Sequence, residues 1–416
     1  MKPYPRRSCL VGRYSVVLLC LPVIALVTNL AAAEKAAASE ARAPVTAKTD
    51  AWTRSGFEHY YDLDYDAAIR DFEKAQAAHP EDPFAINHLL AAIFFRELYR
   101  AGVMESSAYA NNSFLNNRTP VQIDGKTDQR IKELTQRALE LCDQQIAQNP
   151  RDANAYYARG VTRGMQSTYL ALAKKSWFSA LSSAKGARRD HEKVLELDPQ
   201  YNDARLVVGL HSYIVGSLPW PIRVLAHVVG ESGNKTSGLH DLAAAGNGGG
   251  DAAVDAKVVL ALMLRREQRY PDALTIEREL TAAHPHNFLF ALEEANLLKD
   301  SGKGSEAVAA YRRVLTTAAR GEYHDPHLEF AFHGLGETLR GQRDFAGAAA
   351  AYEGVEGLPR ANADIRRRSQ LAAGEMYDLL HQRERAVKKY ESVIASGKES
   401  DQAQRAREHL NRPYQD

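Results

Sequence analysis

The sequence predicts an all-α protein in which pairs of amphipathic helices repeat along the chain. Two observations lead to this prediction. Small and large apolar residues recur in the same order with a period of about 34 residues. Four prolines also fall at one common place in that period once extra stretches of chain are set aside. They are Pro80, Pro150, Pro199 and Pro285.

The N-terminal part predicts export from the cell. Basic residues precede an apolar run at residues 15–30, and the three alanines at 31–33 offer a small-residue cleavage site. The run is shorter than the roughly 20 residues that usually span a bilayer. We therefore expect a cleaved signal peptide at residues 1–33, with an uncleaved membrane anchor as the alternative. Residues 34–48 are of low complexity and predict a flexible tether.

The first complete repeat begins at Trp52. Its residues stand at the spacing W-x2-L-G-x2-Y…A-x3-F…P, and they are Trp52, Gly56, Ala68, Phe72, Ala75 and Pro80. From here almost to its end the chain resembles tetratricopeptide-repeat proteins. The resemblance implies a right-handed α-solenoid of about eight helix-turn-helix units, which stack because one unit cannot bury its apolar face alone.

The spacing divides the chain into repeat units. They are residues 49–82, 83–152, 153–201, 202–252, 254–287, 288–321, 329–362 and 367–400. The second, third and fourth units each carry extra chain between their two helices, and a solenoid would gather these insertions on one edge. In the third unit, longer helices are the alternative to an inserted loop. We expect an elaborated region at 49–253 and a regular region at 254–412 that ends in a capping helix.

Composition and motifs argue against several classes of function. A net charge of +1 does not favour a nucleic-acid binder, which needs a basic surface. The sequence carries no zinc-protease, serine-hydrolase, phosphate-loop or Cys-x-x-Cys motif. Cys142 falls on the apolar side of a predicted helix and is expected in the core. We therefore expect no catalytic residues, no cofactor and no metal.

The resemblance also predicts a groove lined by the first helix of each unit. In the N-terminal half the corresponding positions are mostly aromatic, and they are Phe57, Tyr60, Tyr61, Phe94, Phe95, Tyr157 and Tyr213. Such rings offer a large contact area at little entropic cost, as interface anchors do. We expect them to contact a partner. The alternative is that the insertions fold over them and make them core.

In the C-terminal half the corresponding positions are polar. They include Arg265, Arg266, Asn296, Lys299 and Arg340. The cations could hold an acidic segment or a chain terminus by charge-assisted hydrogen bonds. Asn296 fits one position of the carboxylate clamp found in some family members, but the lysine position of that clamp holds a leucine, so no clamp is predicted. Solvated charge is the alternative.

The insertion of the fourth unit contains an apolar hook at residues 218–229. Its anchors would be Leu218, Trp220, Ile222 and Leu225. A helix over 221–229 would be roughly 14 Å long, less than half of a bilayer core. Three roles stay open for the hook: a plug packed on the protein, a partner-binding surface, and a peripheral membrane contact.

The sequence thus predicts a non-catalytic scaffold, periplasmic or secreted, that holds a protein or peptide partner in its groove. The alternative is a membrane-associated envelope assembly factor that uses the hook. A third hypothesis is an enzyme with the insertions as a lid. The chemistry of the partner is not predicted beyond the contrast between the aromatic and polar halves.

Overall fold

The structure is a computed structural model that describes residues 50–110, 119–220, 223–224, 227 and 231–415. The predicted signal peptide and tether lie outside the described residues. Within those ranges every regular element is a helix, which confirms the all-α, tetratricopeptide-like fold class. The chain forms two compact units. Of the described residues, the first unit comprises those up to Arg100 and those between Ala108 and Met263, and the second comprises Ala101–Ser107 and those from Leu264 onward.

The first unit consists of helices that pack in successive pairs, α1 with α2, α3 with α4, α5 with α6 and α7 with α8. Their bounds are α1 (Ala51–Tyr61), α2 (Tyr65–Ala78), α3 (Pro83–Arg100), α4 (Gly125–Gln148), α5 (Ala153–Leu172), α6 (Trp177–Leu197), α7 (Arg205–Gly216) and α8 (Lys235–Asn247). A short 3₁₀ turn at Asn202–Ala204 leads into α7. Helix α9 (Ala253–Arg266) begins in this unit and ends in the second.

The second unit continues the same arrangement. Its helices are α10 (Tyr270–Ala283), α11 (Phe288–Asp300), α12 (Gly304–Ala319), α13 (Leu328–Gly341), α14 (Phe345–Gly354), α15 (Ala363–Leu379), α16 (Arg383–Ser396) and α17 (Asp401–Asn411). The last helix packs against α15 and α16 and buries Ala403 and Ala406, while its other face is polar. It therefore lies where a capping helix is expected.

In several helix pairs a glycine of the first helix contacts an aromatic ring of the second. A Cβ atom added to Gly56 would lie 2.5 Å from Cε1 of Phe72, and one added to Gly374 would lie 2.5 Å from Cε1 of Tyr390. These glycines let the first helix of a pair approach the second closely, and the ring fills the space beside them. The small and large positions that the repeat predicts are thus in contact.

The turn inside most pairs also repeats. Three residues separate the two helices, and the middle one lies in the left-handed region of backbone conformation. These middle residues are Leu63, Gln268, Gly302, Arg343 and His381, with φ between 58° and 76°. Only Gly302 adopts this region without steric cost, since the other four carry a Cβ atom. The fold therefore imposes the turn even where the local sequence disfavours it.

The extra chain of the second to fourth predicted repeats takes two forms. In the third repeat it lengthens the helices, because α5 has 20 residues and α6 has 21, with a short link between them. In the second it contacts α5, where the Val121 amide donates to the Leu172 carbonyl at 2.9 Å. In the fourth, the Glu231 carboxylate meets Lys185 of α6 at 3.2 Å. The three stretches are thus joined by contacts within the first unit.

Candidate functional site

The aromatic half of the predicted groove is buried. All seven rings are between 1% and 7% exposed, so the prediction that they line an open surface is wrong. They are Phe57, Tyr60, Tyr61, Phe94, Phe95, Tyr157 and Tyr213. The physical reason is that the rings pack on one another, as Tyr60 does on Tyr65 with centroids 5.3 Å apart. Tyr169 of the third repeat's extra chain adds an edge contact to Phe94 at 6.1 Å. The alternative, that these residues are core, describes the structure.

The hook is described in part. Leu218 is buried, whereas Trp220 is 70% exposed. Ile222 and Leu225 lie outside the described residues. The described part therefore has one anchor packed on the protein and one indole in solvent.

The polar half lies in the second unit, where it forms the candidate site. Arg265 is 3% exposed and Asn296 is 4% exposed, so both are buried, while Arg266, Lys299 and Arg340 are partly exposed. Burial of a charged and an amide side chain requires partners for both. The prediction that Arg265 and Asn296 stand open in a groove is therefore wrong, and their partners define the site.

Arg265 is the centre of a buried charge network. Its guanidinium donates to Glu293 Oε2 at 2.9 Å and to Asp300 Oδ2 at 2.6 Å, which link the end of α9 to α11. Burial disfavours the charge of Arg265, but Glu293 and Asp300 raise the pKa of the guanidinium above its usual range. Burial also raises the pKa of Glu293, and the charge of Arg265 opposes that rise. Each group is thus stabilised as an ion chiefly by the other.

The remaining donors of Arg265 hold a segment of the same chain. Residues Ala101–Ser107, which we name the docked segment, belong to the second unit. Arg265 Nη1 donates to Ser106 Oγ at 2.9 Å, and Nη2 donates to Ser107 Oγ at 3.1 Å. Ser106 Oγ in turn donates to Glu293 Oε2. The two serine hydroxyl groups therefore complete the hydrogen bonds of Arg265 and Glu293, although they do not belong to α9 or α11.

Asn296 holds the acidic side chain of the docked segment. Its Nδ2 donates to Glu105 Oε1 at 3.0 Å, and the hydroxyl of Tyr311 donates to Asn296 Oδ1 at 2.6 Å. Burial raises the pKa of Tyr311 well above its usual range, so its hydroxyl stays a donor. Tyr311 thereby orients the amide so that its NH₂ group faces the carboxylate of Glu105.

The docked segment crosses the first helices of successive repeats. Gly102 lies beside α13, where an added Cβ would come within 3.2 Å of Phe330 Cζ. Glu105 then meets Asn296 on α11, and Ser107 reaches Arg265 at the end of α9. The chain thus lies across α13, α11 and α9 in that order. This face of the second unit already holds a peptide segment, which forms turns at residues 101–104 and enters a short 3₁₀ helix at Ser106–Tyr109.

Further along the same face the chain covers Arg340. Arg340 donates to Glu375 Oε2 at 2.9 Å and to the hydroxyl of Tyr414 at 2.8 Å. The Tyr414 amide donates to Asp378 Oδ2 at 2.8 Å. The segment after α17 therefore folds back onto the first helices α13 and α15.

Between these two covered places is a partly exposed patch of mixed charge, which we name the charged patch: Lys299, His333, Glu337 and Arg368. The His333 ring lies within 2.9 Å of Ser369 Oγ. Burial, together with Arg368 and Lys299, lowers the pKa of His333 to about 4, although Glu337 raises it. The imidazole is therefore neutral at pH 7, and the charges of the patch belong to Lys299, Glu337 and Arg368.

Sequence reasoning missed Glu105, Ser106, Ser107 and Tyr414. All four lie outside the repeat register, so no spacing assigns them a place on the fold. The one available signal was the polar half itself, whose cations predicted an acidic segment as ligand.

No helix among the described residues has both the length and the apolarity needed to cross a membrane. This statement does not extend to the apolar run at residues 15–30, which lies outside them.

Comparison with known proteins finds distant structural likenesses. No protein-family model matches the sequence, and no curated protein matches it. The chain is similar to pilF of Pseudomonas aeruginosa, with 16% identity over 63% of this chain and 100% of that one, and a TM-score of 0.38. It is also similar to a tetratricopeptide repeat protein of Parabacteroides merdae, with 14% identity over 77% of this chain and 97% of that one, and a TM-score of 0.33. The likeness to human IFIT1 has 10% identity over 88% of this chain and 83% of that one, and a TM-score of 0.42. Likeness at this level carries no argument about function, which rests on this chain's own residues.

Proposed function

We propose that the protein is a non-catalytic scaffold that holds a protein or peptide partner on the first-helix face of its second unit. The observation that supports this function is the docked segment, which lies across α13, α11 and α9 and is held by side chains of α9 and α11. A face that holds a turn-forming peptide segment in cis has the donors and the shape to hold one in trans. The extracytoplasmic setting, periplasmic or secreted, rests on the predicted signal at residues 1–33.

The charged patch adjoins the docked segment and supplies further contacts for a partner. Lys299 and Arg368 offer donors for acidic groups, and Glu337 offers an acceptor. Partly exposed charges of this kind guide association and register more than they add affinity. We therefore place the edge of the partner's footprint at the charged patch.

A photo-crosslinking residue at position 337 tests this function. We expect Glu337→benzoylphenylalanine to yield one discrete adduct in extracts of the cells that make the protein. Charge reversal of Lys299 and Arg368 to Glu should lower the yield by at least about fivefold, which corresponds to roughly 1 kcal/mol. The matched control places the crosslinker at Glu391, which is exposed on α16. Equal adducts at positions 337 and 391 would contradict the proposed face.

A second candidate function is association with a membrane surface. Two aromatic side chains in the described part of the extra chain are exposed, Phe178 by 83% and Trp220 by 70%. Exposed aromatic side chains of this kind occur where a protein touches a lipid interface or a partner. The envelope assembly factor remains the alternative on this ground.

Vesicle sedimentation tests the second candidate. We expect wild-type protein to co-sediment with vesicles of phosphatidylcholine and phosphatidylglycerol, and Phe178→Ser with Trp220→Ser to reduce the bound fraction at least about tenfold. The control is Trp52→Ser, since Trp52 is 44% exposed but lies against Lys74 in α2. Absence of wild-type protein from the vesicle pellet would exclude this function.

A further inference from the structure

We propose that the docked segment is an intramolecular competitor of the partner, and that the partner presents the same chemistry. That chemistry is a short turn-forming peptide with an acidic side chain followed by unmodified serine or threonine. The inference rests on the proposed function of the second unit and adds to it the identity of the ligand class and the means by which the site is kept closed.

The first element of the site is a position that binds a carboxylate. Asn296 Nδ2 donates to Glu105 Oε1 at 3.0 Å, and Tyr311 fixes the amide in that orientation. The same oxygen accepts from the Ser107 amide at 2.9 Å. An acidic residue at this position of a ligand therefore also needs a backbone N–H two residues later, which excludes proline there. The site selects both the side chain and the local turn.

The second element is a position that binds a hydroxyl group. Ser106 Oγ accepts from Arg265 Nη1 at 2.9 Å and donates to Glu293. A hydroxyl performs both tasks, whereas a carboxylate or a phosphate cannot donate and would face Glu293 with like charge. Ser107 Oγ accepts from Arg265 Nη2 at 3.1 Å. The ligand class is thus acid-hydroxyl-hydroxyl, and phosphorylation of the first hydroxyl should prevent binding.

The docked segment also depends on a glycine. Gly102 has φ of +67°, and an added Cβ would lie 3.2 Å from Phe330. Any other residue at this position would be strained by its backbone and would crowd the ring. Docking can therefore be weakened from Gly102 without touching a polar contact of the site.

Competition in cis explains how such a site stays closed. A segment tethered by the chain has an effective concentration on the order of millimolar, so a free peptide of equal intrinsic affinity competes poorly. A partner that adds contacts at the charged patch gains the affinity to displace it. Weakening the segment should therefore reveal binding that wild-type protein conceals.

Fluorescence polarisation with a labelled peptide tests the proposal. The probe is GVMESSA, the sequence of residues 102–108, titrated with three full-length proteins: wild type, Glu105→Gln with Ser106→Ala, and Gly102→Val. We expect the peptide to bind both variants at least about tenfold more tightly than wild type, because each removes roughly 1.4 kcal/mol or more of self-docking. Two variants with different defects keep the test valid if one folds poorly.

Two kinds of control distinguish specific recognition by the site from a general loosening of the protein. Glu391→Gln with Ser392→Ala changes an exposed Glu-Ser pair on α16 and should leave the wild-type affinity unchanged. A peptide with Gln in place of Glu, and one with phosphoserine at the position of Ser106, should each bind the opened variants at least about tenfold more weakly.

Two results would overturn the proposal. They are binding to the opened variants that is no tighter than to wild type, and equal binding of the Gln peptide. Neither would affect the crosslinking result at position 337, which tests the scaffold function by itself. Failure of this inference and failure of the proposed function are thereby distinguished.

Discussion

Replacement of Arg265 by methionine is expected to lower the free energy of unfolding by about 3–5 kcal/mol. Arg265 is 3% exposed and pairs with Glu293 at 2.9 Å and with Asp300 at 2.6 Å. Methionine keeps most of the side-chain length but leaves Glu293 buried without its cation. Urea denaturation followed by circular dichroism measures the loss.

A second substitution shows whether the loss of stability comes from the buried Glu293 carboxylate, which no longer has its cation. Glu293→Gln in the Arg265→Met background should recover part of the stability, because a neutral amide costs less to bury than a carboxylate. The control is Arg269→Met, since Arg269 forms an exposed pair with Asp272 and should lose less than about 1 kcal/mol. If Arg265→Met were as stable as Arg269→Met, the network would not stabilise the fold.

Replacement of Tyr390 by alanine is expected to cost about 3–5 kcal/mol, as for other large buried rings. The ring has no exposed surface and packs against Gly374 between α15 and α16. Its hydroxyl donates to the buried Asp378 Oδ2 at 2.8 Å. Tyr390→Phe removes that hydrogen bond alone and should cost about 0.5–1.5 kcal/mol. Urea denaturation of the three proteins measures both values.

The glycine that faces this ring provides the test of close packing. Gly374→Ala places a Cβ 2.5 Å from the ring and should cost about 1–3 kcal/mol. In the Tyr390→Ala background the same change should cost little, since the space is then free. Gly341→Ala is the matched control, because no atom lies within 4 Å of its added Cβ. Additive costs of Gly374→Ala and Tyr390→Ala would contradict the predicted contact.

The docked segment changes how the polar half of the groove is understood. Its cations predicted an acidic ligand, and the structure supplies one from the chain itself. Arg265 cannot bind a partner's acid directly while Glu293 and Asp300 occupy it. The carboxylate of Glu105 is instead bound by Asn296, and Arg265 binds the hydroxyl groups of the two serines. Docking of this segment therefore depends on an amide and a buried ion pair rather than on free positive charge.

The helix pairs were predictable from the chain because their defining contacts are local. Gly56 and Phe72, or Gly374 and Tyr390, belong to one pair of helices, so a fixed spacing encodes each contact. Burial of the aromatic half was one of two alternatives that the sequence left open, because the repeat pattern of exposed positions says nothing of what extra chain and neighbouring rings do to them.

The candidate site depends on contacts that no spacing encodes. Asn296 meets Glu105 across 191 positions of sequence, and Arg265 meets Ser106 across 159. The residue types on α9 and α11 are readable in the register, and they favoured an acidic ligand. Only the tertiary structure decides which segment docks on the first-helix face of the second unit, because the repeat spacing does not determine the position of a segment that lies outside the repeats. Its place is set only by the partners that satisfy its buried polar groups.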